Sequence, residues 1–421
     1  EQIWVESKKL WRIVGPAIFS RIASYSMFSI TQAFSGHLGD LELAAMSIGS
    51  NVILGFDFGL MLGMASALET LCGQAYGAKR YYMLGVYLQR SWIILSLCCL
   101  AMLPLFVFAT PILKLLGQPD DVSELAGVVA SCFVPLHFSL GLQFPLLRFL
   151  QSQVKNLAIA WITLAAFALH VFLTWLVVAR LGGGLVGAAL TLSFSWWMLV
   201  LGLFVYVVWG GACRLTWTGF SGEAFLGLWE FFKLSISSGI MLCLENWYYR
   251  VLIIMTGNME NAEIALDALS VCMNINGWQM MIPFAFFAGV GVRVANELGA
   301  GNGRAAKFAT IVSVAESFLI GLVFWVAVVF FHGELGQLFT TSPPVLAAIK
   351  QLSVLLAFTV LLNSIQPVLS GVAVGSGWQA YVAYINLGSY YLVGVPVGCV
   401  LGWVFNLGVM GIWAGMIGGT A

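Results

Sequence analysis

The chain alternates long apolar runs with short polar turns, and the length of each run matches the thickness of a lipid bilayer. A helix needs roughly 20 mostly apolar residues to cross about 30 Å of hydrocarbon. The pattern therefore predicts an all-α polytopic membrane protein with 12 transmembrane helices, which we number span 1 to span 12. The runs lie near residues 13–35, 44–67, 91–113, 125–147, 157–179, 185–209, 231–256, 264–289, 305–331, 345–374, 380–403 and from residue 409 onward.

A more polar stretch at residues 210–230 divides the runs into two groups of six. This division predicts an N-terminal lobe at residues 1–209, a cytoplasmic linker at residues 210–230 and a C-terminal lobe at residues 231–421. The last run has only 13 residues, from Val409 to Ala421, which is short of a full crossing. We therefore expect the last helix, span 12, to be truncated in this chain.

Glycine and acidic positions of the first group recur in the second at a nearly constant offset, which indicates an internal duplication. Six spans separate the copies, and an even number preserves the direction of the chain through the membrane. We therefore expect two six-helix lobes related by a pseudo-twofold axis along the membrane normal, with a cleft between them. The recurring positions are Gly36, Glu42 and Ala44 with Gly257, Glu263 and Ala265, and Gly73 and Gly77 with Gly299 and Gly303.

Composition and charge support a membrane location and fix an orientation. The chain is 61% hydrophobic and 9% charged, against about 25% charged residues in soluble domains. Its net charge is zero, and the sequence contains no basic domain, which argues against a nucleic-acid partner. With both termini in the cytoplasm, the inner loops hold thirteen lysines and arginines. The outer side then holds only Lys114, Arg180 and Lys350, so the positive-inside rule predicts this orientation.

Glu245 lies at the twelfth position of the 23-residue apolar run 234–256, close to the middle of the bilayer. A charge at that depth costs roughly 2.5 to 3.5 kcal/mol, so such a residue faces a cavity, finds a partner or binds a proton. Arg250 is five residues further on and points to a different side of the helix. We therefore predict that Glu245 couples transport to protons. Asp267 is a second candidate for this role, with capping of a helix end as the alternative.

Three spans of the second half each carry a polar and aromatic stripe on one face, at spacings of three and four residues. If the stripes converge, they enclose a chamber suited to an amphipathic aromatic or cationic organic molecule. The alternative is that they form hydrogen bonds between helices. The predicted cavity residues are Tyr248 and Tyr249 on span 7, Ser270, Asn274 and Trp278 on span 8, and Asn363 and Gln366 on span 10, whose stripe continues to Ser370.

Other polar and proline positions yield further hypotheses. Asp57, in the middle of span 2, is interpreted as a possible second protonation site or as a contact between the lobes. Pro16 and Pro367 each remove a helical hydrogen bond, so they are hinge candidates, with a static kink as the alternative. Glu69 is expected to pair with a nearby basic residue.

Enzyme chemistry finds no support in the sequence. The chain has no HExxH motif, no nucleotide-binding loop and no nucleophile elbow, so we expect that it is not an enzyme. Its four histidines and eight cysteines show no metal-ligand spacing, and we expect them to be structural. The expected set of ligands therefore contains no metal and no cofactor, with the proton as coupling ion.

Three long strings resemble the plant branch of the multidrug and toxic compound extrusion (MATE) family. They are ALETLCGQAYGAKR at residues 67–80, ALDALSVCMNINGWQMMIPFAFFAGVGVRVANELGAGNG at residues 265–303 and QPVLSGVAVGSGWQAYVAYIN at residues 366–386. The resemblance extends over essentially the whole chain. It implies two six-helix lobes that form a V, and antiport of an organic compound against protons or, in some bacterial branches, sodium.

The resemblance also implies roles for particular residues. The family's acid on the seventh helix corresponds to Glu245 within CLENWYY. Its frequent acidic partner on the tenth helix corresponds to Asn363 in LLNSIQP, where this chain has an amide. That departure puts in doubt any mechanism in which two acids share a proton. Span 1 has no acid, so the coupling carboxylate that many bacterial members carry there has no counterpart.

These observations together predict a secondary active antiporter. It would export organic compounds, such as plant flavonoids, alkaloids and xenobiotics, in exchange for protons by alternating access. A lipid or lipid-linked flippase of the same superfamily is the alternative. The expected location is the vacuolar or plasma membrane of a plant cell, and the expected partners are the small organic substrate, protons and the lipid bilayer, around a monomer.

Overall fold

The computed structural model describes residues 1–257 and 262–421, and all regular secondary structure in these ranges is helical. Two short helices, Ala109–Leu115 and Gly222–Phe225, lie between longer ones. The longer helices follow the predicted order. They are Gln2–Leu38, Asp40–Gly77, Tyr81–Val107, the pair Asp120–Cys132 and Val134–Ser152, Asn156–Arg180, Gly184–Trp209, Leu228–Gly257, Ala262–Gly299, Gly303–Gln337, Pro343–Ser376, Gln379–Val404 and Gly408–Thr420.

Within the described residues, nine helices are long and apolar enough to cross a membrane. The count is ten if the pair that makes up span 4, which is bent by 47° around Phe133, is one span. The helices at the other two of the 12 predicted spans, span 7 and span 12, are not among them: helix Leu228–Gly257, which carries Glu245, has 30 residues, and helix Gly408–Thr420 has 13. Most helices extend beyond the predicted apolar runs, because a helix continues through polar residues after it leaves the hydrocarbon.

Several spans contain π-helical segments that the sequence pattern did not predict. A π-turn inserts a residue into the helical ladder and turns the following face, but it leaves the apolar composition unchanged. Hydrophobic periodicity therefore gives no sign of it. The segments are Gly49–Leu54 in span 2, Trp175–Arg180 in span 5, and Leu387–Gly394 and Val400–Val404 in span 11.

The chain divides into two compact units. One comprises residues 15–239 and 295–301, and its core includes the buried side chains of Phe133, Phe149 and Trp196. The other comprises residues 1–14, 240–294 and 302–421, and its core includes Tyr248 and Trp413. The predicted lobes, with boundaries at residues 209 and 230, are continuous stretches of the chain, whereas each of these units combines separate stretches. The lobe boundaries therefore stay a prediction.

The two proline hinge candidates occupy different backbone settings. Pro16 lies inside the uninterrupted helix Gln2–Leu38, close to the unit boundary after Val14. Pro367 follows a break at residues 364–365 and is at the start of the helical segment Gln366–Ser376. A proline in the first turn of a helix removes no hydrogen bond, so Pro367 suits this restart.

Two arginine–carboxylate pairs tie helices together, one in each unit. Arg148 Nη1 donates to Glu69 Oε2 at 2.7 Å, and both side chains are almost fully buried. The prediction that Glu69 pairs with a basic residue is confirmed. In the other unit, Arg293 donates to both carboxylate oxygens of Glu6, at 2.7 and 3.0 Å. Each pair joins residues far apart in sequence, and an arginine keeps its charge at physiological pH, so both are permanent clamps.

Glycines let the ends of spans 2 and 8 approach closely inside the first of these units. A Cβ atom at Gly77 would overlap the carbonyl oxygen of Asn296, and one at Gly299 would overlap that of Gln74. The obstacle in both cases is backbone, which cannot swing aside as a flexible side chain can. These contacts explain why the repeated GQAYG and LGAGNG strings contain glycine at these positions.

We predict that Gly77→Ala lowers the free energy of unfolding by about 1 to 3 kcal/mol, the usual cost of overpacking. The midpoint of heat-induced unfolding in detergent measures this change. Gly59→Ala is the matched control in the same span, since nothing lies within 4 Å of a Cβ atom there. We expect it to be neutral or slightly stabilising, because alanine favours helix. Equal stability of the two variants would contradict the close approach.

Candidate functional site

Glu245 is held at mid-helix by hydrogen-bond donors from two other spans. Its Oε1 accepts a hydrogen bond from Ser370 Oγ at 2.7 Å and another from Asn386 Nδ2 at 3.1 Å. Ser370 Oγ in turn accepts from Gln366 Nε2 at 3.0 Å. All these groups are neutral, and no cation of the described part of the chain acts on the carboxylate. The span 10 stripe predicted from sequence, which contains Gln366 and Ser370, therefore does meet Glu245.

Asn386 is a site residue that sequence reasoning missed. It is 5% exposed and lies on span 11, immediately before the π-helical segment Leu387–Gly394. One polar side chain in an apolar run produces no stripe, so a search for periodic faces passes over it. The signal that could have found Asn386 is that it is the only amide within the apolar run 380–403.

A second network lies one helical turn further along span 7 and connects three spans. Tyr249 donates its hydroxyl hydrogen to Asn363 Oδ1 at 2.6 Å. Asn363 Nδ2 then donates to Asn276 Oδ1 at 3.0 Å. Asn363 thus acts as acceptor and donor at once, and it is 1% exposed. An ionised acid at this position has no hydrogen to donate to Asn276, so an amide fits the position chemically.

Tyr248 belongs to an aromatic cluster inside the same unit. It is almost fully buried and stacks on Tyr390, with ring centres 4.5 Å apart. Its hydroxyl donates to the carbonyl oxygen of Met416 at 2.5 Å. Gly394 and Gly419 make room for this hydroxyl, because a Cβ atom at either would collide with it. The ring of Tyr248 is therefore packed against a neighbouring ring, and its hydroxyl is hydrogen-bonded to the backbone.

A small cleft lies beside these tyrosines. Its empty volume, including the open side, is about 260 Å³. Three predicted cavity residues, Tyr248, Tyr249 and Asn363, border it. The other lining residues are Leu252, Thr359, Leu362, Trp413, Met416, Ile417 and Thr420.

The predicted stripe on span 8 does not join the Glu245 network. Its polar and aromatic members Asp267, Ser270, Asn274 and Trp278 are exposed side chains, and Met281, which completes the stripe, is half-buried. The packed face of span 8 instead presents Asn276 and Gln279, which are 5% and 2% exposed. The role of this exposed face in a substrate chamber stays a prediction, because the spacing of the stripe does not say which face of span 8 the neighbouring helices cover. Asn276 and Gln279 are amides three residues apart in an apolar run, and this spacing was the signal in the sequence that could have identified the packed face.

Asp57 has a partner that the sequence did not reveal. Its Oδ2 lies 2.7 Å from Nδ1 of His137, and neither side chain is exposed. Both residues belong to the unit of residues 15–239, so this pairing is internal to one unit. In the same unit, His170 contacts Thr31 at 3.0 Å and Ser195 at 2.9 Å. Among the described residues, no group of three or more potential ligands is arranged to hold a metal ion.

Known proteins match this chain both in sequence and in structure. The family model described as MatE matches residues 16–176 and 238–400. Protein DETOXIFICATION 27 of Arabidopsis thaliana is 66% identical over 422 residues, which cover 100% of this chain and 87% of that protein. Protein DETOXIFICATION 26 of the same plant is 62% identical over 421 residues, with 100% and 86% covered. The crystal structure of the eukaryotic MATE transporter AtDTX14 matches with a TM-score of 0.92 at 34% identity, covering 100% of this chain and 94% of that one.

These matches bear on two predictions. The predicted all-α polytopic membrane fold is confirmed, because the match to a solved transporter structure extends over the whole chain. The family model matches the chain twice, once in each half, which agrees with the internal repeat.

We predict that Asn363→Asp destabilises the protein more at high pH than at low pH. At about pH 8 the ionised acid faces Asn276 Oδ1 without a hydrogen to donate, at a cost of about 1 to 3 kcal/mol. At about pH 5 a protonated acid can donate to Asn276, so part of the loss is recovered. Heat-induced unfolding at both pH values measures the difference from the natural chain.

The matched control is Asn274→Asp on span 8. Asn274 is exposed, and its Nδ2 donates to the carbonyl of Ser270 on its own helix. We expect a small effect at either pH. If the two variants show the same pH dependence, the hydrogen bond from Asn363 to Asn276 does not have the assigned role.

Proposed function

The chain belongs to the MATE family of membrane transporters, and from this membership we propose that it exports organic compounds in exchange for protons. The observation that carries the proposal is the setting of Glu245. This carboxyl lies inside helix Leu228–Gly257, the predicted span 7, and the groups of the described residues that bind it, on spans 10 and 11, are neutral. A carboxylate at that depth without a cation gains by taking up a proton, because protonation removes the charge from the hydrocarbon.

Protonation of Glu245 changes the hydrogen bonds that join three helices. The ionised carboxylate only accepts, so it favours donation from Ser370 and Asn386. The protonated acid carries a donor of its own, which lets the Ser370 hydroxyl rotate or accept instead. The contacts between span 7 and spans 10 and 11 therefore differ between the two states. A proton can shift the balance between two conformations only through such a difference.

The proposed cycle uses this difference for alternating access. When the cavity opens to an acidic vacuole or apoplast, Glu245 binds a proton and the organic substrate leaves. When it opens to the cytosol, the proton leaves, and the ionised cavity favours loading of a new substrate. Each pH unit supplies about 1.4 kcal/mol, and each 100 mV of membrane potential supplies about 2.3 kcal/mol per charge. Of the two acids that the sequence predicted for proton coupling, Glu245 carries this proposal, since Asp267 is exposed and is not part of the hydrogen-bond network around Glu245.

We further propose plant secondary metabolites, such as flavonoids and alkaloids, and xenobiotics as substrates. The relatives named above are plant detoxification proteins. Aromatic side chains near Glu245, including Tyr249, provide flat surfaces that suit such compounds. The proposed location is the vacuolar or plasma membrane, with both termini in the cytoplasm and the protein acting as a monomer.

We predict that Glu245→Gln abolishes proton-driven transport while the protein stays folded. Glutamine cannot be ionised, but its Oε1 can still accept from Ser370 and Asn386. The measurement is uptake of berberine, a fluorescent cationic alkaloid, and of flavonoid glycosides into proteoliposomes with and without a pH gradient. We expect uptake by the variant to fall to the level of protein-free vesicles.

Glu316→Gln is the matched control, because Glu316 is also a carboxyl within a span but binds the Trp11 indole N–H at 2.9 Å. We expect it to retain gradient-driven uptake. Full gradient-driven uptake by Glu245→Gln would refute the coupling role. Movement of fluorescent lipids between leaflets, without berberine or flavonoid uptake, would favour the lipid flippase instead.

A further inference from the structure

The buried pair Asp57 and His137 has hydrogen bonds that restrict where its protons can be. His137 Nε2 lies 2.9 Å from the carbonyl oxygen of Cys99. A carbonyl oxygen only accepts, so Nε2 carries a hydrogen. His137 Nδ1 lies 2.7 Å from Asp57 Oδ2, and this contact needs one more proton between the two atoms. The pair is then either a neutral histidine with a protonated acid or an imidazolium with a carboxylate.

Both arrangements have a net charge of zero, and loss of the shared proton ends that balance. One negative charge would remain at a position with no exposed surface. The His137 ring would then carry a single hydrogen, and that hydrogen would have to be on Nδ1, because the Asp57 carboxylate can only accept. Nε2 would be left without a hydrogen, and its lone pair would face the lone pairs of the Cys99 carbonyl oxygen. The proton can therefore leave only if the His137 ring moves away from that carbonyl or the site opens.

Among the residues that the structure describes, no other charged group pairs with Asp57 or His137. The titratable groups that face it are the thiols of Cys98 and Cys99 on span 3. The charged groups further along spans 2 and 4, Glu69 and Arg148, pair with each other. Asp57 Oδ1 has no hydrogen-bond partner in the described part of the chain. An unsatisfied buried acceptor is costly for a purely structural contact, so the site calls for a functional explanation.

Each of the three helices that form the site is irregular close to it. In span 2 the π-helical segment Gly49–Leu54 ends three residues before Asp57. Span 3 contains Pro104, one turn after Cys99, and span 4 bends by 47° around Phe133, one turn before His137. Prolines, π-turns and bends are the places where helices readjust. Movement of His137 relative to Cys99 therefore requires no break in regular helix.

We propose that Asp57 and His137 form a second proton-binding site, in the first half of the chain, that releases and rebinds its proton as the transporter changes conformation. This proposal rests on the proton coupling proposed above and extends it to a second ion per cycle. His170 in the same unit offers a contrast. In the described part of the chain its partners are the hydroxyls of Thr31, Thr174 and Ser195 and the carbonyl of Met27, with no carboxylate among them.

The test counts protons released by purified protein in lipid nanodiscs when the pH rises from about 5 to about 8, using the dye pyranine. We expect Asp57→Asn to release one proton fewer than the natural chain. The asparagine amide can donate to His137 Nδ1, so the variant keeps the geometry and should fold. Glu245→Gln should also lose one proton, and the double variant two. His170→Gln is the matched control and should release as many protons as the natural chain.

The outcomes separate the two proposals. If Asp57→Asn releases as many protons as the natural chain, the second site is wrong, whatever Glu245→Gln shows. If Glu245→Gln releases as many protons as the natural chain and Asp57→Asn releases one fewer, the coupling role proposed for Glu245 is wrong and the second site is supported. Nitrogen-15 spectra of histidine in the natural chain supply a check that needs no variant at the site. We expect His137 Nε2 to carry hydrogen at about pH 5, and a bare Nε2 would overturn the proposal.

Discussion

Hydrocarbon offers no hydrogen-bond partner, so every polar group that these helices carry into the bilayer must be satisfied inside the protein. Hydroxyls meet this requirement locally, as Ser35 and Thr163 do by donating to the carbonyl four residues earlier. Amides on packed helix faces also find partners on other helices, as Asn276 and Asn363 do by binding each other. Carboxyl groups have the greatest difficulty, because an ionised acid brings a charge as well as unsatisfied oxygens.

Four acids of this chain meet that difficulty in two ways. Glu69 and Glu6 each bind an arginine, whose charge persists at any physiological pH, so these pairs hold helices together permanently. Glu245 binds neutral donors, and Asp57 binds a histidine. Neither the neutral donors at Glu245 nor the histidine at Asp57 supplies a fixed positive charge, so a mobile proton can balance the charge of the acid instead. One physical requirement thus leads to scaffold contacts in one case and to the proposed proton sites in the other.

Much of the fold could be predicted from the sequence, and part of the site. The all-helical membrane fold, the approximate positions of the helices and the internal repeat follow from apolar length and recurring glycines. The importance of Glu245 follows from its depth alone, and the stripe with Gln366 and Ser370 does reach it. The stripe on span 8 is exposed, and its spacing did not reveal that Asn276 and Gln279 lie on the packed face of that helix. Asn386 went unnoticed, and His137 was expected to be only structural, because single polar residues form no periodic pattern.

The sequence by itself determined that this chain is a helical membrane protein of two similar halves, because bilayer thickness converts apolar length directly into spans. It also determined that a carboxyl lies where charge is expensive. Only the tertiary structure decided which groups bind that carboxyl, which face of span 8 is buried, and that Asp57 meets His137. The reason is that partners in a helical bundle come from distant parts of the chain, 80 residues apart for Asp57 and His137 and 141 for Glu245 and Asn386. Such pairings depend on how helices rotate and bend against one another, which local spacing does not encode.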